Sequence, residues 1–245
     1  MADMNRSIYI GFDPREAAAY AVARWSTKRR LTQPLAIRGV VLAKLVANGL
    51  YRRPIELREG PTEKRIMWDV ISNAPMSTEH ANARFLMPHL AKTGWALFMD
   101  GDVLVRGNVA RLFDGLDPAM AVYCVKHKHM PPAGVKMDGQ AQTQYVRKNW
   151  SSVMVWNCDH PANRALTLDA VNTMAGRDLH RFVWLEDEEI GELDPKWNWL
   201  VRQSPVLELN APQIVHYTEG TPDMPGYEDD PYTDEWRQEL ACWAD

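Results

Sequence analysis

The chain has 245 residues, 46% hydrophobic and 24% charged, which is enough for one full-cored domain of ordinary soluble composition. No apolar run approaches the roughly 18 residues of a membrane span, and the N-terminal MADMNRSIYIGF has too few apolar residues for a signal peptide, so a cytoplasmic protein is expected. The net charge of −4 divides into +6 over residues 1–90 and −10 over residues 91–245. The basic clusters at Lys28–Arg30, Arg52–Arg53 and Lys64–Arg65 either attract a phosphorylated partner or solvate helix ends. Cys124, Cys158 and Cys242 are odd in number and widely spaced, so neither a disulfide framework nor a structural zinc is expected.

Ser7 to Phe12 reads as a first strand, and Asp13-Pro14-Arg15-Glu16 supplies the N-cap, N1 proline and N3 glutamate of a helix reaching about Thr27. That junction places a helix N-terminus beside a strand's carboxyl end, where nucleotides tend to bind, although by itself Asp13 reads first as a plain cap. A second strand within Gln33–Val41 and a short helix over Leu42–Asn48 follow, while Arg52–Glu63, with Pro54, Gly60 and Pro61, reads as loop. From Ser77 or Thr78 a helix carries Arg84, Phe85, Leu86 and Leu90, with a kink at Pro88 and an end at Gly94.

Trp95 to Met99 then reads as a buried strand that stops at Asp100-Gly101-Asp102. In extended backbone, residues i and i+2 point the same way, so the two carboxylates can converge, and Gly101 leaves room for close approach to the backbone. Carboxylates suit Mg²⁺ or Mn²⁺, and such an ion commonly holds a diphosphate. A solvated turn is the alternative reading of so short a motif.

Further on, Ala119–Val125 and Ser151–Trp156 read as strands, Pro161–Met174 as a helix closed by Gly176, and residues 127–144 as a long functional loop with a His127/His129 pair. Leu185–Ile190 contains four consecutive acids, a pattern usual for a solvated helix face. Trp197 and Trp199 fall in a loop where an aromatic face can lie against a sugar, Gln213–Tyr217 is strand-like, and Tyr232–Trp243 is an amphipathic terminal helix. The strand–helix alternation predicts an α/β domain with a central mixed, mostly parallel sheet flanked by helices.

Taken in order, these pieces resemble the family-eight glycosyltransferases, retaining enzymes that use nucleotide sugars. The similarity runs through Ala83–Pro88, Trp95–Val105, Arg106–Phe113, Ser151–Met154, Asp187-Glu188-Glu189 with Lys196-Trp197-Asn198, and His216-Tyr217. It implies one GT-A type, Rossmann-like domain: residues 1–126 as the nucleotide and metal half, 127–230 as the donor-sugar and acceptor half, and 231–245 as the terminal helix. It further implies Asp100, Asp102 and His216 as ligands of Mn²⁺ or Mg²⁺, the imidazole favouring manganese. Asp13 and Tyr20 then face the nucleoside of a donor such as UDP-glucose or UDP-galactose. Arg84 and Asp187 contact the donor sugar, Gly101 and Ser151 count with the donor-binding residues, and Glu188 lies near the anomeric carbon, so Asp187 and Glu188 are the candidate catalytic acids.

The chain departs from the family pattern after His216, where Thr218–Pro225 contains no lysine to neutralise a leaving phosphate, and at Trp150 and Ser152, which replace the asparagine and glycine of Asn-Ser-Gly. The acceptor is open: a saccharide, a lipid head group or a modified nucleic acid. Two rival readings remain. A nucleotidyltransferase also uses strand-end acids and a metal, but needs a glycine-rich basic loop that Gly11-Phe12-Asp13-Pro14 does not supply. A non-catalytic nucleotide-sugar or nucleic-acid binder would fit the missing lysine.

Overall fold

The computed structural model describes residues 5–60, 65–127, 147, 149–205, 207–208 and 211–244. The helices and strands, in chain order, are β1 (Arg6–Phe12), α1 (Ala17–Arg30), β2 (Ala36–Val41), α2 (Leu42–Ala47), β3 (Ile55–Glu59), β4 (Arg65–Asp69), β5 (Ala74–Met76), α3 (Met87–Ala91) and β6 (Trp95–Met99). Then come β7 (Val103–Val105), β8 (Val122–Cys124), β9 (Val153–Asn157), α4 (Leu168–Thr173), α5 (Gly176–His180), β10 (Ile190–Glu192), β11 (Trp199–Leu200), β12 (Ile214–His216) and α6 (Thr233–Ala244).

The main sheet has six strands in the order β10-β8-β9-β6-β1-β2, parallel throughout except for β9, which runs antiparallel to both neighbours. This is the mixed, mostly parallel α/β sheet that the sequence predicts. Its central strands are apolar on both faces, as strands covered on both sides must be. Tyr9, Phe98, Met154 and Trp156 join one core cluster, while Ile8, Ile10, Leu97, Met99, Val153 and Val155 join the other. A smaller sheet, β11-β12-β7, stands beside it, and its antiparallel β12–β7 pairing sets His216 opposite Val103.

Helix α1 buries Ala19, Val22, Ala23 and Ser26, a spacing of three and four residues that makes one continuous face. The Ser26 hydroxyl accepts from the Val105 backbone N–H at 3.1 Å, which ties the strand after the two acids to this helix. On the outer side of α1, Arg29 and Arg30 both reach Glu239 of α6, at 3.2 and 2.8 Å. Among the described residues no helix is long and apolar enough to cross a membrane.

Several local expectations are corrected. Arg52–Glu63 is not a loop: Ile55–Glu59 forms the edge of an antiparallel sheet with β4 and β5, and Pro54 and Gly60 bound the strand instead of breaking it. Pro88 lies in the first turn of α3 and does not kink a longer helix, because the first turn has no use for its missing N–H. Pro161–Met174 divides into a 3₁₀ turn and α4, with Thr167 capping the Ala170 N–H. Gly176 opens α5 and does not close the preceding helix. Trp197 and Trp199 are buried in core clusters and offer no aromatic face to a sugar. Most of the expected loop at 127–144, His129 included, lies outside the described residues.

The small β3–β5 sheet is fastened to the body by a buried ion pair. Arg53 and Asp69 have side chains 0% and 1% exposed. The same guanidinium donates to the Val171 and Met174 carbonyls at 2.8 and 2.7 Å, and Asn82 donates to Asp69 at 3.2 Å. Removing one partner strands the other charge in the interior, so Asp69→Ala is expected to cost about 3–5 kcal/mol in a urea titration. A loss below about 1 kcal/mol, the range of a surface pair, would contradict this role.

Candidate active site

Strand β6 is wholly buried and delivers Asp100 to the carboxyl edge of the main sheet, where the Asp100 N–H donates to the Ser152 carbonyl at 2.9 Å. The chain reverses through Gly101 into β7. A Cβ on Gly101 would meet the Gly11 carbonyl oxygen at 2.5 Å, so this glycine serves packing against β1 and not, as its sequence context suggests, an opening for a ligand. Strand β12 then pairs with β7, the Tyr217 N–H donating to the Asp102 carbonyl at 3.0 Å. The result brings one ligand atom each from Asp100, Asp102 and His216 to within 4.8 Å of one another.

Burial alone would raise the Asp100 pKa, but Arg84 and His80 outweigh it and hold the carboxyl well below the usual range. Arg84 reaches both of its oxygens at 2.8 and 3.0 Å, and His80 Nε2 lies 3.1 Å away. His216 is held at both ring nitrogens. Its Nδ1 is 2.9 Å from Asn198 Oδ1, a carbonyl oxygen, so the proton sits on Nδ1 and the neutral ring turns the Nε2 lone pair toward the acids. The Asn198 amide is itself oriented, because its Nδ2 donates to Ser152 Oγ at 2.8 Å and to His127 Nε2 at 3.0 Å.

That arrangement aims acceptors at acceptors. Asp102 Oδ1 is buried with no hydrogen bond of good geometry, although His216 Nε2 is only 3.1 Å away, and Asp100 Oδ2 is 4.0 Å from the same nitrogen. Only a cation relieves the repulsion. Burial disfavours charge on His216, yet the two carboxylates raise its pKa, so a proton on Nε2 is one solution. A divalent metal displacing that proton is the other, and two carboxylate oxygens with one imidazole form a suitable donor set for it.

These groups line a cavity of about 450 Å³ with Glu16, Ser77 and Thr78 on one side and Arg147, Asn149, Ser151, Ser152 and His180 on the other; Thr218 and Glu219 also line it. A larger hollow of about 620 Å³, bordered by Arg52, His89 and Cys158, holds no such converging set among the described residues. Glu16 is pushed up to about 7 by burial and by the charges of Asp102 and Asp13.

The other expected site residues are placed unevenly. Ser151 and Arg84 are in the cavity wall, but Arg84 is spent on Asp100, the Ala81 carbonyl and the Ser151 carbonyl. Asp13 is a buried cap, accepting from the Arg15 side chain and backbone and from the Glu79 N–H at 2.9 Å. Tyr20 packs edge-on against Phe12, and its hydroxyl occupies the space a Cβ on Gly39 would need. Neither Asp13 nor Tyr20 lines the cavity. Asp187 and Glu188 lie on an exposed 3₁₀ turn outside it, and Asp187 pairs with Arg147. Sequence reasoning missed Glu16, His80, Arg147 and His180; nothing local marks them, since only the fold aims them inward. His127 is committed to Asn198.

Two of these histidines are held neutral. Burial pushes His180 down to about 3, with Arg84 adding to it, and His127 down to about 4. Both lie below the ordinary value of about 6.5, so as pH falls from there the unfolded chain takes up protons that the folded chain refuses. Stability from these groups is therefore present above about pH 6.5 and lost toward about pH 4. The urea midpoint is expected to fall across this window, and less steeply in His180→Gln; equal slopes in the two proteins would contradict the assignment.

No family model matches the chain. It is 40% identical over 237 residues to Protein CDI of Arabidopsis thaliana, covering 95% of this chain and 85% of that protein. Among solved structures, the apo form of the bifunctional glycosyltransferase WbbM superposes with a TM-score of 0.62 at 14% identity, over 98% of this chain and 50% of that one. The glycosyltransferase GlyE of Streptococcus pneumoniae gives 0.59 at 13%, over 99% and 62%. The galactosyltransferase LgtC, solved with donor and acceptor sugar analogues, gives 0.53 at 14%, over 96% and 95%. The chain thus spans half of WbbM and under two thirds of GlyE. These likenesses establish the fold, which is that of the GT-A glycosyltransferases, and at 40% identity across nearly its whole length the chain belongs to the family of Protein CDI.

Proposed function

We propose that this protein is a metal-dependent glycosyltransferase, a divergent relative of family eight, that moves a hexose from a nucleoside-diphosphate sugar to an acceptor hydroxyl. The observation that carries the reading is the meeting of Asp100, Asp102 and His216, from two strand ends more than a hundred residues apart in sequence, in a cavity at the carboxyl edge of the sheet. That edge is where α/β sheets bind nucleotides. The fold's solved neighbours, by their own descriptions, are glycosyltransferases.

Asp100, Asp102 and His216 Nε2 would hold the ion, with Mn²⁺ preferred over Mg²⁺ because one ligand is an imidazole. When bound, such a metal neutralises negative charge that develops on the departing diphosphate. The chain's own residues do the rest. Arg84 and His80 keep Asp100 ionised, and Asn198, by engaging Nδ1, leaves Nε2 as the His216 nitrogen that faces the acids. Retention of configuration follows from same-face attack, with the diphosphate taking the acceptor's proton. A UDP-sugar such as UDP-glucose or UDP-galactose is the proposed donor, with Asp13 and Tyr20, which follow β1 without lining the cavity, as the proposed nucleoside contacts. Besides Asp100 and Asp102, the acids that line the cavity are Glu16 and Glu219, whereas Asp187 and Glu188, which the resemblance offers as catalytic, stand outside it.

The direct test is Mn²⁺-dependent release of nucleoside diphosphate from a panel of nucleotide sugars, with and without saccharide acceptors. Asp102→Asn is expected to slow release by at least about a hundredfold while leaving the thermal midpoint close to that of the parent, because the residue ends a strand and supports no core packing. Release of pyrophosphate from a nucleoside triphosphate and a sugar phosphate, with no nucleoside diphosphate from any donor, would overturn the reading in favour of a nucleotidyltransferase.

A further inference from the structure

The acid cluster at Asp187 and the missing C-terminal lysine are separate puzzles in the sequence, and one side chain joins them. Arg147 lines the cavity that holds Asp100, Asp102 and His216. Its guanidinium donates through Nη1 to the Arg181 and Phe182 carbonyls, the latter at 3.1 Å, and through Nη2 to Asp187 Oδ1. Its carbon end lies over the Trp150 ring, with Cζ 5.8 Å from the ring centre. The side chain is therefore fixed in a fork, with only 15% of its surface exposed. Nε–H and one Nη2–H have no acceptor among the described residues.

Of the two arginines in the cavity wall, Arg147 is the one whose carboxylate partner does not itself line the cavity. Arg84, the other arginine in the wall, is neutralised by Asp100 at 2.8 Å. His180 is neutral, its pKa pushed down to about 3 by burial, and His80 is engaged with Asp100. Asp187, the carboxylate partner of Arg147, is 78% exposed and stands on the solvent side of the pair, where water screens it. An arginine held in the cavity wall, with two N–H groups that find no acceptor among the described residues and a carboxylate partner exposed to water, suits a group bearing several anionic oxygens, since its planar fork matches phosphate geometry.

We propose that Arg147 is the diphosphate-binding cation of this site, standing in for the lysine that Thr218–Pro225 lacks, and that Asp187 is a positioning residue that holds the Arg147 fork toward the cavity. The assignment deepens the proposed function and rests on it for the identity of the anion. It also gives the acid cluster a purpose: one member, Asp187, is tied to the site, while Glu186 and Glu189 form the reciprocal cap of their own short turn.

The test uses inorganic pyrophosphate, which carries the anionic group without base or sugar, titrated calorimetrically into the full chain with and without Mn²⁺. Arg147→Ala is expected to weaken pyrophosphate binding by about tenfold or more while Mn²⁺ affinity stays within about twofold of the parent, as loss of a charge-assisted fork predicts. Arg147→Lys should recover part of the loss. Asp187→Asn should weaken binding by several-fold, Asp187→Glu should restore it, and Asp187→Asn placed on Arg147→Ala should add nothing, because it acts through the arginine. Arg164→Ala, removing a cation of the other hollow, is the control. Unchanged pyrophosphate affinity in Arg147→Ala, or no pyrophosphate binding by the parent in either condition, would overturn the assignment. An additive Asp187→Asn effect would remove Asp187 from it. Arg147-dependent pyrophosphate binding with no Mn²⁺ binding would sustain the arginine and sink the metal reading instead.

Discussion

The site depends on one strand pairing. Asp100 and Asp102 are neighbours in sequence and reach the sheet edge together, but two carboxylates alone make only an acidic turn. The antiparallel contact of β12 with β7 supplies the third atom: its register places His216 opposite Val103, next to Asp102, and the Tyr217 N–H clasps the Asp102 carbonyl at 3.0 Å. A shift of one residue would turn His216 to the other face of the small sheet and leave the acids without an imidazole. The pairing is held from behind, since Val215 and Leu104 pack with Val22 of α1 and Trp236 of α6. The terminal helix thus bears on the site from a distance, by backing the strand that carries its histidine.

The second constraint is electrostatic. A buried carboxylate oxygen without a good donor and a ring nitrogen with its lone pair turned toward it cannot coexist without positive charge between them. The protein has already answered one acid with Arg84 and His80, which leaves Asp102 and His216 facing each other. Asn198 matters because it removes the easy escape: by accepting from Nδ1 it prevents the ring from presenting an N–H to Asp102 in the neutral state. The same polar chain reaches His127 and Ser152, so the cavity wall and the ligand set are parts of one hydrogen-bonded network.

What the sequence revealed follows from how local each signal is. A fully apolar pentapeptide that stops at Asp-Gly-Asp announces a buried strand and an acidic edge, and Asp13-Pro14 announces a helix start, because both are written in consecutive residues. His216 came only through family resemblance, since no local pattern encodes which strand will lie beside β7. Gly101 is explained only by the fold: the obstacle to a side chain there is the Gly11 carbonyl, ninety residues earlier in the chain. The β3–β5 sheet was hidden by Pro54, Gly60 and Pro61, which punctuate strands as readily as loops. A run of acids gives charge without direction, so Asp187 looked catalytic or merely solvated, when its partner is an arginine forty residues away. Trp197 and Trp199 were offered to a sugar but face the core, where large aromatic surfaces gain most.

On the reading proposed above, Asp100, Asp102 and His216 hold a divalent cation through His216 Nε2. Anomalous diffraction at the manganese edge, from crystals soaked in MnCl₂, tests it without presuming donor or acceptor. One strong peak is expected within bonding distance of both carboxylates and Nε2, with Nδ1 still on Asn198. A peak elsewhere, or none at concentrations that saturate the protein in solution, would contradict the account.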